Sequence, residues 1–304
     1  MQRYTIRDFN RDFPDDDTCI EYVARLVYGV DPSEGIPCRT CNTDRKHHRL
    51  SGRKAYSCDH CGTHVYPLAG TIFEKSSTSL KSWFYAMFLI GSTRCGISAK
   101  QLERELGVTY KTAWRMFNQI RKLMGEPIEN LSGSVEIDES YFGGRRRGTK
   151  RGRPGKDSHK VPVVGIVERG GKVAALVTPD TTRATVEPII QRKVLPGSMI
   201  YTDEYAVYDR LGKKGYTHRR IPHSEQVYVL GDVSTNTIEG FWGLVKNGIR
   251  GVYHSVSAKH LQSYINEYAY RYNHRHDDEP MTALVRERVR RVRHGQHGEY
   301  APVG

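Results

Sequence analysis

Four cysteines in two CxxC pairs constrain the fold of this chain more than any other feature. Cys38 and Cys41 form the first pair, Cys58 and Cys61 form the second, and sixteen residues separate the pairs. Each CxxC places two thiolates on one tight turn, and two facing turns supply the four sulfur ligands of a tetrahedral zinc site. Redox chemistry, the alternative, normally uses a single CxxC at a helix start. The spacing therefore predicts one structural Zn²⁺ in a small zinc ribbon.

Two further cysteines and two nearby histidines fall outside this pattern. Cys19 and Cys95 have no partner motif and are expected to be small buried apolar residues. His60 and His64 are possible alternate zinc ligands, but a histidine beside four well-spaced cysteines is more often a surface residue. The opening segment lacks the apolar stretch of a signal peptide, so a reducing, cytosolic environment is expected.

The chain has a large excess of positive charge, which narrows the class of partner. Its 304 residues include 47 Lys and Arg against 34 Asp and Glu, a formal net charge of +13. Such an excess favours a polyanion, either nucleic acid or an anionic membrane surface. The most apolar run, residues 80–90, contains Lys81 and is far shorter than the roughly 20 residues of a spanning helix. Nucleic acid is therefore the favoured partner, and no membrane association is expected.

Residues 68–125 have a helical pattern that includes a candidate DNA-reading helix. A short helix capped by Ser98 is followed by a turn at Gly107 and by a second helix that opens at Thr109. The second helix has a buried stripe of Ala113, Met116, Phe117 and Ile120, and an exposed face of Tyr110, Lys111, Arg115 and Arg121. This spacing is typical of a helix-turn-helix, whose second helix enters the major groove of DNA. A plain helix-packing unit explains the same pattern equally well.

After residue 125 the sequence changes from helical to strand-rich. Segments 133–142, 160–171 and 172–180 have β-strand character, with a hairpin turn at Gly170 and Gly171. A helix, a further strand and two more helical stretches follow. The segment between the first two strands is too basic to pack a core and is interpreted as a flexible arm that binds DNA phosphates. Its cations include Arg145, Arg146, Arg147, Lys150 and Arg151.

Two strands in this region are each expected to end in an aspartate, and aromatic residues follow both aspartates. Asp138 is expected at the tip of the first strand, Asp203 at the tip of a later strand, and Glu239 on a helix whose same face carries Asn236 and Lys246. Taken singly, each acid is better explained as a solvated residue. Acids gathered at one sheet edge repel one another unless cations neutralise them, and Mg²⁺ prefers oxygen ligands. The set therefore predicts a site for two divalent ions, Mg²⁺ or Mn²⁺. Such a pair can activate the attacking oxygen and stabilise the leaving oxygen of a displacement reaction at phosphorus.

Long motifs in this chain resemble the IS1595 family of insertion-sequence transposases, with the ISXO2-like DDE domain. They include "VEIDESYFGG", "YTDEYAVY", "STNTIEGFWGLVKNGIRGVYH" and "NEYAYRYNHR". The resemblance implies a mixed α/β fold, in which a zinc ribbon and a helix-turn-helix region precede a ribonuclease-H-like catalytic core. It implies a DNA transposase that cleaves and joins double-stranded DNA at the ends of its own element. It also implies a homo-oligomer on DNA, in the cytoplasm and nucleoid of a bacterium or archaeon.

The family's functional residues carry over onto this sequence one by one. Asp138 and Asp203 match the first two catalytic acids, and Lys246 matches a lysine that holds a phosphate near the scissile bond. The third catalytic position matches either Glu239 or Asn236. Glu239 is favoured, because a carboxylate binds Mg²⁺ more strongly than an amide does.

Four regions and three functional classes follow from these patterns. The regions are a zinc-ribbon segment at 1–67, a helical DNA-binding region at 68–130, a catalytic core at 131–275 and a basic C-terminal helix or tail at 276–304. Besides a transposase, the sequence allows a ribonuclease-H-like nuclease without strand transfer, or a zinc-ribbon and helix-turn-helix regulator. Tyr205 and Tyr208 are interpreted as packing or DNA-contact residues rather than nucleophiles.

Overall fold

The computed structural model describes most of the chain, as two compact units. The described residues are 4–93, 95–143, 160–221, 235–277 and the single positions 284, 285 and 289. One unit lies within Met1–Leu123 and Asp277–Gly304, and the other within Met124–His276. In the part of the chain that the structure describes, no helix is long and apolar enough to cross a membrane. Nearly all of the predicted C-terminal tail lies outside the described residues, as do the arm cations Arg145, Arg146, Arg147, Lys150 and Arg151.

The first unit begins with two helices that lie outside the predicted elements. They are α1 (Ile6–Asp12) and α2 (Asp16–Tyr28). Thr5 and Asp8 form a reciprocal capping box at the start of α1, and the Asp15 side chain caps the first turn of α2. Both caps are readable in the sequence, as a hydroxyl or acid placed just ahead of an apolar periodicity.

Five short strands follow and hold the cysteine pairs. They are β1 (Ile36–Cys38), β2 (Thr43–Arg45), β3 (His47–Arg49), β4 (Tyr56–Cys58) and β5 (His64–Val65). β1 pairs antiparallel with β2, and β3, β4 and β5 form a second antiparallel sheet. The turn between β3 and β4 contains Gly52, whose φ of 70° is in the left-handed region that favours glycine.

Three helices complete the described elements of the first unit. They are α3 (Leu80–Ser92), α4 (Ala99–Leu106) and α5 (Tyr110–Leu123). Ser98 caps α4 and Gly107 ends it in the left-handed conformation, as the sequence predicts. The predicted stripe of α5 is fully buried, and its three larger side chains each contribute about 1.5–3 kcal/mol of burial. These three are Met116, Phe117 and Ile120.

The expected exposure of Arg121 on α5 is wrong. The residue is only 2% exposed, and its guanidinium lies 4.6 Å from the centroid of the Phe117 ring. Arg121 follows Phe117 by four residues, so one helical turn returns it to the buried stripe. Its charge therefore belongs to the packing of this unit and not to a DNA-facing surface.

The second unit is built, within the described residues, on a five-stranded mixed sheet. Its strands are β6 (Ser134–Phe142), β7 (Val161–Glu168), β8 (Val173–Val177), β9 (Met199–Thr202) and β10 (Thr217–Arg220). Their order is β10-β9-β6-β7-β8; β6, β7 and β8 are antiparallel, whereas β9 is parallel to β6 and β10 is parallel to β9. The α-helices among its described residues are α6 (Arg183–Lys193), α7 (Asn236–Gly248) and α8 (Leu261–Asn273). This is the ribonuclease-H-like arrangement, and the predicted mixed α/β class is confirmed.

Alternation along the strands gives the sheet two apolar faces. Ile166 of β7 belongs to the same buried cluster as Ile190 of α6. The next residue in the strand, Val167, belongs instead to a cluster with Phe241 of α7 and Ile265 of α8. Helix α6 therefore covers one face of the sheet, and α7 and α8 cover the other.

Two details of the sheet differ from the sequence expectation. β6 does not end at Asp138, because it stays paired with β7 as far as Phe142. Its pairing with β9 ends where Glu136 faces Tyr201, so Asp138 lies beside the open end of β9 and not at a strand tip. β10 is a basic edge strand without an apolar alternation, which is why no pattern predicts it.

Gly165 lies directly opposite Asp138 in the β6–β7 pair and allows α7 to approach the sheet. A Cβ atom at this position would collide with the Trp242 ring and would lie 2.9 Å from Ile238 Cδ1. Glycine within a strand often marks such a close approach. Helix α7 can therefore lie this close to the sheet only because residue 165 has no side chain.

Candidate active site

The two cysteine pairs converge into one four-sulfur cluster. The Sγ atoms of Cys38 and Cys61 are 3.5 Å apart, and those of Cys41 and Cys58 are 4.0 Å apart. All four sulfurs lie within 4.8 Å of one another. A tetrahedral site with Zn–S bonds of about 2.3 Å places its sulfurs about 3.8 Å apart, so the cluster fits zinc.

The turns that carry the cysteines have the same backbone form. Asn42 N donates to Cys38 O at 2.9 Å, and Gly62 N donates to Cys58 O at 3.1 Å. Asn42 and Gly62 have φ values of 54° and 72°, the left-handed conformation that Asn and Gly adopt most readily. Each turn is thus encoded locally. The geometry and the donor set support a structural Zn²⁺ site.

The remaining cysteines and histidines of the first unit have different surroundings. Cys19 is fully buried, and burial raises the pKa of its thiol to about 12, as expected for a small core residue. Cys95 is exposed, so the expectation of burial is wrong for this residue, which lies between α3 and α4. His60 and His64 are both exposed and are not members of the four-cysteine cluster.

Three carboxylates meet at the open end of β9. One oxygen from each of Asp138, Glu139 and Asp203 lies within 4.8 Å of the others. Asp138 comes from β6, and Asp203 follows the last residue of β9. Asp203 Oδ1 accepts a hydrogen bond from Tyr205 N at 3.0 Å, which fixes the carboxylate at the start of the next turn. The fold thus brings together the two aspartates that the sequence singles out.

Burial and like charge raise the pKa of Asp138 to about 7. Removal from water is the largest cause, followed by the negative charges of Glu139 and Asp203 and, more weakly, of Glu239. Each effect disfavours the ionised carboxylate, so the cluster is stabilised by an added positive charge. An all-oxygen donor set of this kind fits a divalent cation such as Mg²⁺ or Mn²⁺.

Helix α7 carries the other candidate residues, and its Glu239 is exposed and lies outside this cluster. The charge of Glu239 contributes to the raised pKa of Asp138, and Thr235 Oγ1 donates to Glu239 Oε1 at 3.0 Å. Lys246 is half-buried; burial lowers the pKa of its ammonium group, while the nearby carboxylates of Asp138 and Glu239 act in the opposite direction. Asn236 is exposed at the first position of the same helix.

Glu139 is the member of the acidic cluster that the sequence patterns do not single out. It is 8% exposed and accepts a hydrogen bond from the hydroxyl of Tyr208. Burial, and then the charge of Glu139, hold the pKa of Tyr208 well above its usual value, so the phenol stays a donor. The available signal is an acid at an inward strand position, where charged residues are rare unless paired.

Asp138→Asn is expected to stabilise the protein at alkaline pH when no divalent metal is added. Below about pH 4 the carboxyl is protonated in both folded and unfolded chains, and above about pH 7 it is ionised in both. Between these values only the unfolded chain releases the proton, so stability falls as the pH rises from about 4 to about 7 and stays low above that. The amide removes this loss, which is on the order of 4 kcal/mol for a rise from 3.8 to about 7.

Thermal unfolding between pH 5 and pH 8, without added Mg²⁺, measures this effect. The variant should unfold at a higher temperature than the parent at pH 8, by a margin that narrows toward pH 5. Asp180 provides a matched control, because hydrogen bonds from Thr185 and Thr182 lower the pKa of this exposed acid. Asp180→Asn should therefore give no gain at pH 8. Equal unfolding temperatures for Asp138→Asn and the parent at every pH would contradict the uncompensated burial of Asp138.

The exposed face of α5 is aromatic as well as basic. Tyr110 and Trp114 are 46% and 40% exposed, and Lys111 and Arg115 are exposed beside them. Lys100 of α4 places its Nζ 5.3 Å from the centroid of the Tyr110 ring, which adds a further cation. Trp114 is absent from the sequence prediction, although a large aromatic residue one turn after Tyr110 is a readable signal. Such a face suits both phosphates and base edges.

Two regions of the chain match known transposase domains, and two relatives are similar to it in sequence. Residues 130–273 match the ISXO2-like transposase domain, and residues 14–64 match the transposase zinc-ribbon domain. An uncharacterized protein in transposable element ISH50 from Halobacterium salinarum is 26% identical over 264 residues, covering 82% of this chain and 89% of that protein. An uncharacterized transposase-like protein from Haemophilus influenzae is 33% identical over 102 residues, covering 34% of this chain and 81% of that protein.

Similarity to solved structures is weaker. The simian T-cell lymphotropic virus intasome in complex with PP2A regulatory subunit B56 gamma aligns with a TM-score of 0.31 and 16% identity, over 66% of this chain and 74% of that chain. The Mos1 strand transfer complex aligns with a TM-score of 0.28 and 11% identity, over 69% and 75%. TM-scores this low do not establish a common fold, and family membership rests on the two domain matches and the Haemophilus influenzae relative. The chain belongs to the IS1595 family of transposases.

Proposed function

We propose that this transposase uses divalent metal to cleave DNA at the ends of its own insertion sequence and to join those ends to a target. The observation that supports this most directly is the meeting of Asp138 and Asp203, within 4.8 Å, in a chain of net charge +13. An acidic metal centre inside a basic protein suits a reaction at the phosphates of DNA.

Three acids and one lysine form the proposed catalytic set. Asp138, Asp203 and Glu239 are the proposed metal ligands, and Glu239 is preferred to Asn236 because its charge acts on Asp138. These residues would hold two Mg²⁺ or Mn²⁺ ions, which would activate the attacking oxygen and stabilise the leaving oxygen of an in-line displacement at phosphorus. Lys246 faces the same acids and is proposed to bind a phosphate oxygen beside the scissile bond.

The proposed reaction has two displacements at phosphorus. Water first attacks a phosphodiester at the element end, which leaves a 3′-hydroxyl on the element and a 5′-phosphate on the flanking strand. That 3′-hydroxyl then attacks a target phosphodiester, and the target's own 3′ oxygen leaves as the new bond forms. No side chain bonds covalently to DNA in this scheme, which agrees with the burial of Tyr208 against Glu139.

The remaining regions are assigned to DNA binding and assembly. Residues 68–130 are proposed to read the element ends, residues 131–275 to carry out the chemistry, and the zinc ribbon within 1–67 and the tail at 276–304 to support binding. Because two element ends must be joined to one target, we propose a homo-oligomer assembled on DNA. The reaction takes place where chromosomal DNA lies, in the cytoplasm and nucleoid of a bacterium or archaeon.

Incubation of the purified protein with its flanking element DNA, a target duplex and Mg²⁺ tests this proposal. Joined products are expected, in which the 3′ end of the element is covalently attached to the target. Cut ends without joined products would identify a ribonuclease-H-like nuclease. Binding without any cleavage would identify a regulator built on the zinc ribbon and the helix-turn-helix.

Lys111→Ala is expected to reduce the preference for the element end over unrelated DNA. Lys111 lies in the first turn of α5, where a recognition helix contacts base edges, and loss of such a contact lowers specific binding by about 1–3 kcal/mol.

Neutralising the arm should instead weaken binding to every sequence and flatten its salt dependence, by about one unit of slope per lost phosphate contact. The arm residues to change are Arg145, Arg146, Arg147, Lys150 and Arg151.

Binding titrations at several salt concentrations, with the element end and an unrelated duplex, separate the two effects. Arg11→Ala is the matched control, because this exposed arginine of α1 is already paired with Asp8 and Asp12. It should leave both affinities close to those of the parent. An equal loss on both duplexes in Lys111→Ala, with a reduced salt slope, would assign Lys111 to the DNA backbone and contradict base reading by this residue.

A further inference from the structure

Glu136, two residues before Asp138, is a fully buried acid with a complete set of partners. Its Oε2 accepts from Ile238 N at 2.9 Å, and its Oε1 accepts from Thr237 Oγ1 at 3.0 Å and from Arg169 Nε at 2.7 Å. Its relative exposure is 0%. A carboxylate in this position is retained only if it is paired and hydrogen-bonded, and both conditions are met here.

Two of these three donors belong to the first turn of α7. The first amides of a helix have no partner within the helix, and its N-terminus carries partial positive charge. Among the described residues, the expected cap, Thr235, makes no side-chain capping bond and donates instead to Glu239 Oε1. The carboxylate of Glu136 therefore caps α7 from the central strand of the sheet.

The third donor joins the same carboxylate to the rest of the sheet. Arg169 follows the last residue of β7, and its guanidinium lies 4.0 Å from the centroid of the Tyr201 ring on β9. The ion pair with Glu136 thus connects β6, the end of β7 and α7 at one point. Glu136 and Asp138 point to the same face of β6, because residues two apart in a strand share a face.

We propose that Glu136 is a positioning residue that fixes the first turn of α7, and with it Glu239, over Asp138. The proposal rests on the proposed function of the acidic cluster and adds a residue to it. Glu136 is not a ligand in this scheme, since three donors already occupy its two oxygens and it lies outside the cluster of Asp138, Glu139 and Asp203. Its effect on the metal passes entirely through the placement of α7.

Glu136→Gln tests the proposal with two measurements that do not depend on turnover. Mn²⁺ binding, followed by electron paramagnetic resonance, should weaken by about 10- to 100-fold, the range for groups that orient metal ligands. Hydrogen exchange of the amides of Thr237, Ile238 and Glu239, measured without added metal, should become faster. Thr237→Val keeps the carboxylate and removes one donor, so it should shift both readouts in the same direction by less. It also serves as the test if Glu136→Gln does not fold.

Glu267→Gln is the matched control for simple loss of stability. Glu267 is equally buried, but it pairs with Arg271 on its own helix, α8, and with the Tyr253 hydroxyl. Its replacement should lower the unfolding temperature without changing Mn²⁺ affinity or exchange at the start of α7. If Glu267→Gln and Glu136→Gln weakened Mn²⁺ binding equally, the positioning role of Glu136 would be overturned.

Two further outcomes separate this inference from the proposed function. Unchanged Mn²⁺ binding and unchanged exchange in Glu136→Gln, together with lost Mn²⁺ binding in Asp138→Asn, would overturn the role of Glu136 alone. Unchanged Mn²⁺ binding in Asp138→Asn would overturn the metal site itself. Faster exchange at α7 with weakened Mn²⁺ binding in Glu136→Gln, and neither change in Glu267→Gln, is the expected result.

Discussion

Asp138→Asn is expected to abolish DNA cleavage and strand transfer together, by more than about 100-fold each, while DNA binding persists. The amide has nearly the shape of the carboxylate but no charge, so metal is held too weakly to organise the reaction. Loss of groups that merely orient a metal ligand costs about 10- to 100-fold, so loss of a ligand should exceed that range. DNA binding should be unchanged or slightly tighter, because one negative charge near the phosphates is lost. Cleavage, joining and binding are measured on the same labelled element end.

Asp203→Asn should reproduce this loss, and the neighbouring Glu204→Gln provides the control. Glu204 is exposed and directly follows Asp203, so its replacement changes net charge equally without removing a proposed ligand. Glu239 and Asn236 are then compared on α7. If Glu239 is the third ligand, Glu239→Gln should be as damaging as the aspartate changes and Asn236→Ala should be milder. Strand transfer near the parent rate in Asp138→Asn would reject the metal-centre assignment altogether.

Removal of zinc is expected to unfold the ribbon and leave the second unit folded. The ribbon strands are two or three residues long and cannot bury a core of their own, so the four-sulfur cluster must supply their stability. Structural zinc contributes on the order of 10–16 kcal/mol in small zinc domains. Metal analysis should find about one zinc per chain. Chelation should remove the protection of amides near Cys38 and Cys58 from hydrogen exchange, while the β6–β7 hairpin keeps its own.

One cysteine variant and one nearby control variant test the same prediction without a chelator. Cys41→Ser removes one ligand and should mimic chelation, whereas His60→Ala, an exposed residue inside the second turn, should retain zinc and structure. Protein prepared without chelator and found free of zinc would refute the assignment. Zinc retained at full occupancy in Cys41→Ser would show that another group completes the site.

Local signals predict much of the fold because they act within a few residues. Ser98 caps a helix and Gly107 ends it, and the residues at the cysteine turns set the local backbone conformation in the same way. The buried stripe of α5 follows from the helical spacing of its apolar residues alone. Elements without such signals escape prediction. β10 is basic and lies at a sheet edge, so pairing with β9 creates it and not its own composition. Arg121 is a different case: its charge favours exposure, although its position four residues after Phe117 places it on the buried stripe of α5.

The acidic centre is predictable in part for a similar reason. Asp138 and Asp203 follow from strands that end in acids and aromatic residues, although Asp138 proves to lie beside the end of β9 within a longer strand. Glu139 and Glu136 could not be assigned, because their roles depend on partners 69 and 102 positions away in sequence. The choice between Asn236 and Glu239 also depends on how α7 is rotated over the sheet, which helical periodicity alone does not determine.

The glycine opposite Asp138 also affects how copies of such an element should be compared. A Cβ at Gly165 meets the ring of Trp242 on α7, so even alanine at this position would lift the helix that carries Glu239. Such a copy would keep every acid and every cysteine in its sequence, but Glu239 on α7 would be displaced from Asp138 on β6. A complete set of acidic residues is therefore insufficient evidence that a copy is active. Inspection of residue 165 adds information that the acids themselves do not contain.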